Sequence, residues 1–211
     1  MSKIFTSHEL DKSNNFCMTL SLGKSPEEVI NIYGADAGEA RWLTADAPGA
    51  YVTNATTTVL RAGSLGDWTF CLEFEYLLGS NEGIMRELST NAEAIVIFRT
   101  AKALTGFHYV ANCELLESFE PGYPPSVSGR SSHEFSSKVH ALTSTGLDPV
   151  AACLEVVTGH VGCDLTKETL RGPLLSVIMD KPDLVAFARR DPLLLRPAVP
   201  QKSRRRLGRR L

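Results

Sequence analysis

Two carboxylates one residue apart on an alternating strand point to the same side, and a histidine on a nearby strand can complete an acid–base set. Glu73 and Glu75 stand in that relation within Trp68-Thr-Phe-Cys-Leu-Glu-Phe-Glu-Tyr76, with Arg99 ending one expected strand and His108 on the next. Glu73, Glu75 and His108 are therefore the candidates for a hydrolase-like site. The same residues equally suit a solvated sheet face whose charges pair across strands. Trp68, Phe70, Leu72, Phe74 and Tyr76 line the opposite side with no basic residue among them. That stripe suits a core better than a base-stacking platform.

Other chemistries find less footing. Cys153, His160 and Cys163 are close enough in sequence to suggest zinc, but Cys153 falls on an apolar helical stripe and no fourth ligand is near. His133 and His140 lie two helical turns apart, one of them near an expected helix start. No metal and no cofactor is expected. The glycine-rich phosphate loops, Gly-x-Ser-x-Gly and His-Glu-x-x-His are all missing from the sequence.

The sharpest pattern is charge. The 211 residues carry a formal net charge of −2, which is a cancellation. Residues 1–195 hold 15 Lys and Arg against 24 Asp and Glu, whereas residues 196–211 hold seven basic groups and no acid. Arg204, Arg205, Arg206, Arg209 and Arg210 form the binding candidate of that tail. Clustered arginines neutralise phosphates, so nucleic acid is one partner; self-association, intramolecular docking or no function are the others. The acidic remainder suits a protein partner with a basic surface.

The elements that must position these groups follow from periodicity and punctuation. Phe16–Leu22 alternates as a first strand, and Ser25-Pro-Glu-Glu28 is a capping box opening a helix through Val29, Ile30 and Tyr33 to Gly34. A short helical piece is expected around Glu39–Leu43, a strand at Thr56–Ala62, a turn at Gly63–Asp67 and a short helix at Ile84–Leu88. Ala94–Phe98, apolar on both faces, predicts a central strand; Phe107–Val110 and Leu115–Phe119 predict a hairpin. Pro121–Ser132 reads as a Pro/Gly/Ser hinge, after which helices are expected from Phe135 to Gly146, from Asp148 to Gly159, at Thr166–Leu170 and at Asp180–Arg190.

These elements predict an α+β fold: a mainly antiparallel sheet (a β-meander) with helices packed on one face and a helical C-terminal third. The expected organisation is one domain over 14–190 and a Pro/Arg-rich basic tail over 191–211. Hydrophobic content of 43% and charged content of 22% exclude a disordered chain. Apolar runs of five residues or fewer give no membrane span, the N-terminus lacks a secretory signal, and five cysteines without a Cys-x-x-Cys pair suit a reducing compartment. The expected location is the cytoplasm.

Phe16-Cys-Met-Thr-Leu, Ser25-Pro-Glu-Glu, Gly66-Asp-Trp-Thr-Phe-Cys-Leu-Glu73, Glu117-Ser-Phe-Glu-Pro121 and Gly146-Leu-Asp-Pro149 together carry a resemblance. Over about residues 14–175 the chain resembles an actinobacterial (Streptomyces-type) domain family of unknown function with a GDWTF strand and an SFEP hairpin exit. Where that family usually has glycine in the hairpin turn, this chain has Asn112-Cys113. The resemblance implies a bacterial cytosolic origin and transfers no catalytic residue. The leading expectation is a non-catalytic protein-interaction module, regulatory or immunity-like. Nucleic-acid association through the tail comes next, and the Glu73/Glu75/His108 enzyme third.

Overall fold

A computed structural model describes residues 15–51 and 56–180, all within one unit, Met1–Lys181. The expected lead-in at 1–14, the helix at Asp180–Arg190 and the basic tail lie outside the described residues, apart from Asp180 itself. The chain begins with β1 (Phe16–Leu22) and α1 (Pro26–Ile32). The capping box is formed: Ser25 Oγ accepts the Glu28 N–H at 3.2 Å, and the Glu28 carboxylate accepts the Ser25 N–H at 2.7 Å.

Next come β2 (Arg41–Leu43), β3 (Thr57–Leu65), β4 (Trp68–Phe74), α2 (Glu82–Leu88), β5 (Glu93–Arg99) and the hairpin β6 (Thr105–Ala111) and β7 (Glu114–Glu120). Asn112 and Cys113, with φ of 50° and 66°, form its turn. A two-residue turn matched to strand twist needs both central residues left-handed, which explains why glycine suits that place. After β8 (Tyr123–Gly129) follow α3 (Glu134–Ser144), α4 (Pro149–Val161), α5 (Lys167–Arg171) and β9 (Leu174–Asp180). Among the described residues no helix is long and apolar enough to cross a membrane.

The nine strands of the described residues join one antiparallel sheet, ordered β2-β9-β3-β4-β1-β5-β6-β7-β8. This corrects the expected α+β class. Among the described residues the molecule is mainly sheet, with five α-helices, and they cover both faces rather than one. On the first face Phe16, Met18, Leu20, Phe70, Ile95 and Phe107 meet Phe135 and Val139 of α3 and Leu154 and Val157 of α4. On the second, Cys17, Thr19, Ser21, Cys71 and Glu73 lie beneath α1, Tyr33 and α2: Tyr33 Oη is 3.0 Å from Thr19 Oγ1, and Ser21 donates to the Leu88 carbonyl. One side of β1 carries only small residues, yet those residues are as buried as the large ones.

The helical C-terminal third is also overturned. β9 returns after α5 and inserts between β2 and β3, so a strand from the far end of the described chain completes the sheet. Three local expectations change with it. The segment read as a hinge contains β8, an edge strand that tolerates Pro124 and Pro125 because its outer side needs no hydrogen bonds. Glu39–Leu43 ends in β2 rather than a helix. β3 runs through Gly63 to Leu65 rather than turning there, and the close packing needs glycine: a Cβ at Gly63 would stand 2.6 Å from Leu174 and 2.9 Å from Phe70.

Candidate functional site

The three residues expected to work together stand apart. Glu73, on β4, is fully buried, its carboxyl accepting the Gly79 N–H at 2.5 Å; burial raises its pKa to about 7. Glu75 has left the strand, with φ of 81°, and is exposed while its backbone pairs with Asn15. His108, on β6, shares the sheet face of Glu73, but β1 and β5 run between them. Three strand spacings are about 14 Å, beyond any shared contact. Its Nδ1 is 3.0 Å from Ser118 Oγ, its ring tilts on Phe98, and burial lowers its pKa to about 4. Arg99 points to the opposite face, 3.4 Å from Asp148. Arg204, Arg205, Arg206, Arg209 and Arg210 lie outside the described residues.

Cys153 is buried in the core stripe of α4, while His160 turns outward to Glu93. Among the described residues no group of three or more His, Cys, Asp or Glu side chains is placed to hold a metal ion.

The geometry that can receive a ligand is elsewhere. A cleft of about 740 Å³ opens on the first face of the sheet, between α3 and α4 and above β6 and β7. Its floor is Tyr109 and Phe135; Leu142 and Val156 form apolar walls, and Glu134, Lys138, Glu155 and His160 stand around it. A volume of this size falls in the usual range of binding pockets.

Glu117 builds one wall. It lies opposite Tyr109 in the β6–β7 register and is 1% exposed. Its carboxylate accepts the Ser136 N–H at 2.7 Å and the Phe135 N–H at 3.3 Å, with the Ser131 hydroxyl at 3.4 Å. The preceding His133 is left-handed and makes no side-chain cap. A carboxylate from the sheet therefore satisfies two of the orphan N–H groups of α3 and faces the positive end of its dipole, fixing the helix over β7.

The other wall is α4. Asp148 caps it through the Val150 and Ala151 N–H groups. Gly159, expected to end it, sits inside it; the left-handed Gly162 is the actual cap. A Cβ at Gly159 would meet nothing within 4 Å, so this glycine widens the cleft. One position on, His160 sets Nε2 3.0 Å from Glu93 and packs against Phe135, Trp68 and Tyr109 at 5.0, 5.8 and 5.9 Å. Burial and the charge of Glu93 push the Tyr109 phenol up to about 12, so it remains a neutral donor.

Chemically the cleft is suited to holding rather than reacting. Its carboxylates outnumber its one lysine, and Lys138 is itself bound to Glu134 at 2.6 Å. Glu155 is exposed and forms no ion pair among the described residues. The aromatic floor adds apolar area and ring faces attractive to cations. Sequence reasoning had no local signal for Glu117, whose partners are backbone groups 18 and 19 residues away.

No curated protein and no solved structure matches the chain. A family model described as "Family of unknown function (DUF6461)" matches residues 4–168, well over half of the sequence. The chain belongs to the DUF6461 family of unknown function.

Proposed function

We propose that this DUF6461 member is a non-catalytic protein-interaction module, regulatory or immunity-like, that receives a basic and partly apolar segment of a partner in the α3–α4 cleft. The observation that carries this reading is the cleft itself: apolar floor and walls under a net acidic surround. Leu142, Val156 and Phe135 would take an aliphatic side chain, and Glu155 with Glu134 would accept from flanking Lys or Arg donors. Acidic complementarity of this kind speeds encounter with basic partners and rejects acidic ones. The separation of Glu73, Glu75 and His108 weighs against a hydrolase built on them. The cellular setting we infer is the cytoplasm of an actinobacterium, in keeping with the five free cysteines and the sequence resemblance.

Gly159→Leu and Glu155→Arg test the reading without touching the core. The full chain and both variants serve as bait in the native cell lysate, and each also binds a synthetic peptide of alternating leucine and arginine under a salt titration. The wild type should retain its partner and bind the peptide more weakly as salt rises. Both variants should lose at least about tenfold in affinity, the worth of one charged or well-packed anchor. A partner and peptide retained equally by all three proteins would sink the proposal.

A further inference from the structure

Among the described residues Arg61 is a buried cation with no acidic partner. Arg61 of β3 has no exposed surface. Its Nη1 donates to Tyr51 Oη at 2.6 Å, Nη2 to the Leu43 carbonyl at 2.9 Å, and Nε weakly to Ser176 Oγ at 3.5 Å. All three acceptors are neutral, and among the described residues Arg61 forms no ion pair. A guanidinium presents five N–H donors and is almost never buried unless paired. The adjoining chain cannot supply the missing charge: between 44 and 58 the sole acid is Asp46, and both its oxygens are held by Arg171 at 2.7 and 2.9 Å.

A second arginine faces the same place. Arg41 of β2 lies opposite Ser176 of β9, which lies opposite Arg61 of β3. Directly opposed residues share a face, so Arg41, Ser176 and Arg61 form one row across three strands, the two arginines about 10 Å apart. Arg41 is exposed and forms no ion pair among the described residues. The residue between them is Ser176, whose hydroxyl donates to the Leu174 carbonyl at 2.9 Å and would rotate to meet an anion. Tyr51 covers the row. Its ring lies 4.8 Å over the Arg61 guanidinium, edge-on to Phe74, yet the residue is 47% exposed.

We propose that Arg61, Arg41 and Ser176 form a binding site for an oxyanion, the carboxylate or phosphoryl group of a ligand, which enters by displacing the Tyr51 hydroxyl from Nη1. Arg61 supplies the fork of parallel donors, Arg41 a second charge from the sheet edge, and Ser176 a hydroxyl between them. Tyr51 holds the site shut when no anion is bound, its hydroxyl standing in as a neutral acceptor.

Thermal unfolding and the tryptophan fluorescence (Trp42 and Trp68) of the full chain, titrated with inorganic phosphate or acetate against chloride at matched ionic strength, test the site. The basic tail is common to all variants, so differences among them report this row alone. The expected result is a saturable rise in Tm and a fluorescence change with one oxyanion, the responding anion identifying phosphoryl or carboxylate as the source. Arg41→Gln, exposed and outside the core, should weaken the response at least about tenfold, the loss of one charge-assisted contact. Tyr51→Phe should lower stability in chloride but enlarge the stabilisation by the oxyanion, since no hydroxyl then competes for Nη1. Arg61 serving only to pin the 43–51 segment predicts otherwise: Tm tracking ionic strength for every anion, with Arg41→Gln responding as the wild type. Either of those results, or a Tyr51→Phe response smaller than wild type, overturns the proposal.

Discussion

The two faces of the sheet are both covered by helices, yet one is sealed and the other holds a cleft. On the sealed face the strands offer small side chains (Cys17, Thr19, Ser21, Cys71), so α1, Tyr33 and α2 settle closely onto the backbone. On the other face large strand rings (Phe107, Tyr109, Phe119) stand tall and meet Phe135 of α3, holding α3 and α4 away from the backbone. The same contrast divides the buried glutamates. Glu117 meets two helix N–H groups and organises an element, whereas Glu73 accepts from the Gly79 N–H and is held partly protonated near neutrality. Close packing over small residues traps a polar group; tall residues leave room for a ligand.

The largest effect expected from breaking this contrast comes from Glu117→Ala. Removing the carboxylate leaves the first turn of α3 uncapped beneath the surface, and urea unfolding should show a loss of about 3 kcal/mol. Peptide binding in the cleft should fall with it. Glu117→Gln, which keeps one acceptor, should cost roughly half as much.

The sealed face predicts a pH signature of similar size. Glu73 has a folded pKa of about 7 against an ordinary 4.5, so its contribution is full below 4.5 and is lost as pH rises toward 7. His108 has a folded pKa of about 4 against 6.5, so its contribution is full above 6.5 and is lost as pH falls toward 4. Between 4.5 and 6.5 the two slopes oppose each other. Glu73→Gln should therefore expose stability that rises with pH across this window, and His108→Gln stability that falls. Each slope integrates to about 3 kcal/mol, measured by denaturation at several pH values. Unchanged profiles in both variants would contradict the burial argument.

Two glycines sharpen the comparison further. A Cβ at Gly79, on the sealed face, would lie 2.4 Å from both Thr19 Cγ2 and Tyr33 Oη, so Gly79→Ala should destabilise by about 2 kcal/mol through overpacking. Gly159, beside the cleft, has open space around its Cβ and sits within a helix. Gly159→Ala should stabilise by about 0.5–1 kcal/mol, the smallest effect of the set. The same chemical change thus carries opposite signs on the two faces, readable as a fall and a rise in Tm.

How much of this was legible beforehand depended on the range of the interaction. The capping box of α1, the Asp148 cap of α4 and the central position of Ala94–Phe98 were visible because their signals lie within a few residues. The alternation of Trp68–Phe74 correctly placed Trp68, Phe70 and Leu72 on a core face, but nothing local marked the Glu73 side as buried. Thr, Ser and Cys are equally at home under a helix or in water, so only the arrival of α1 and Tyr33 decides. Strand β8 was hidden by its prolines, and β9 by the helices before it.

By its own residues the sequence determined local things: where helices are capped, which strands are apolar on both sides, and that an acidic stretch precedes a basic end. These depend on backbone propensity and nearest-neighbour chemistry, which act over a turn or two of chain. Tertiary structure alone decided which carboxylate caps α3, which histidine reaches the cleft, and that Arg61 is enclosed with Arg41 in its row. Those relations join residues far apart in the chain, through a sheet whose strand order differs from sequence order, and no local pattern encodes that order.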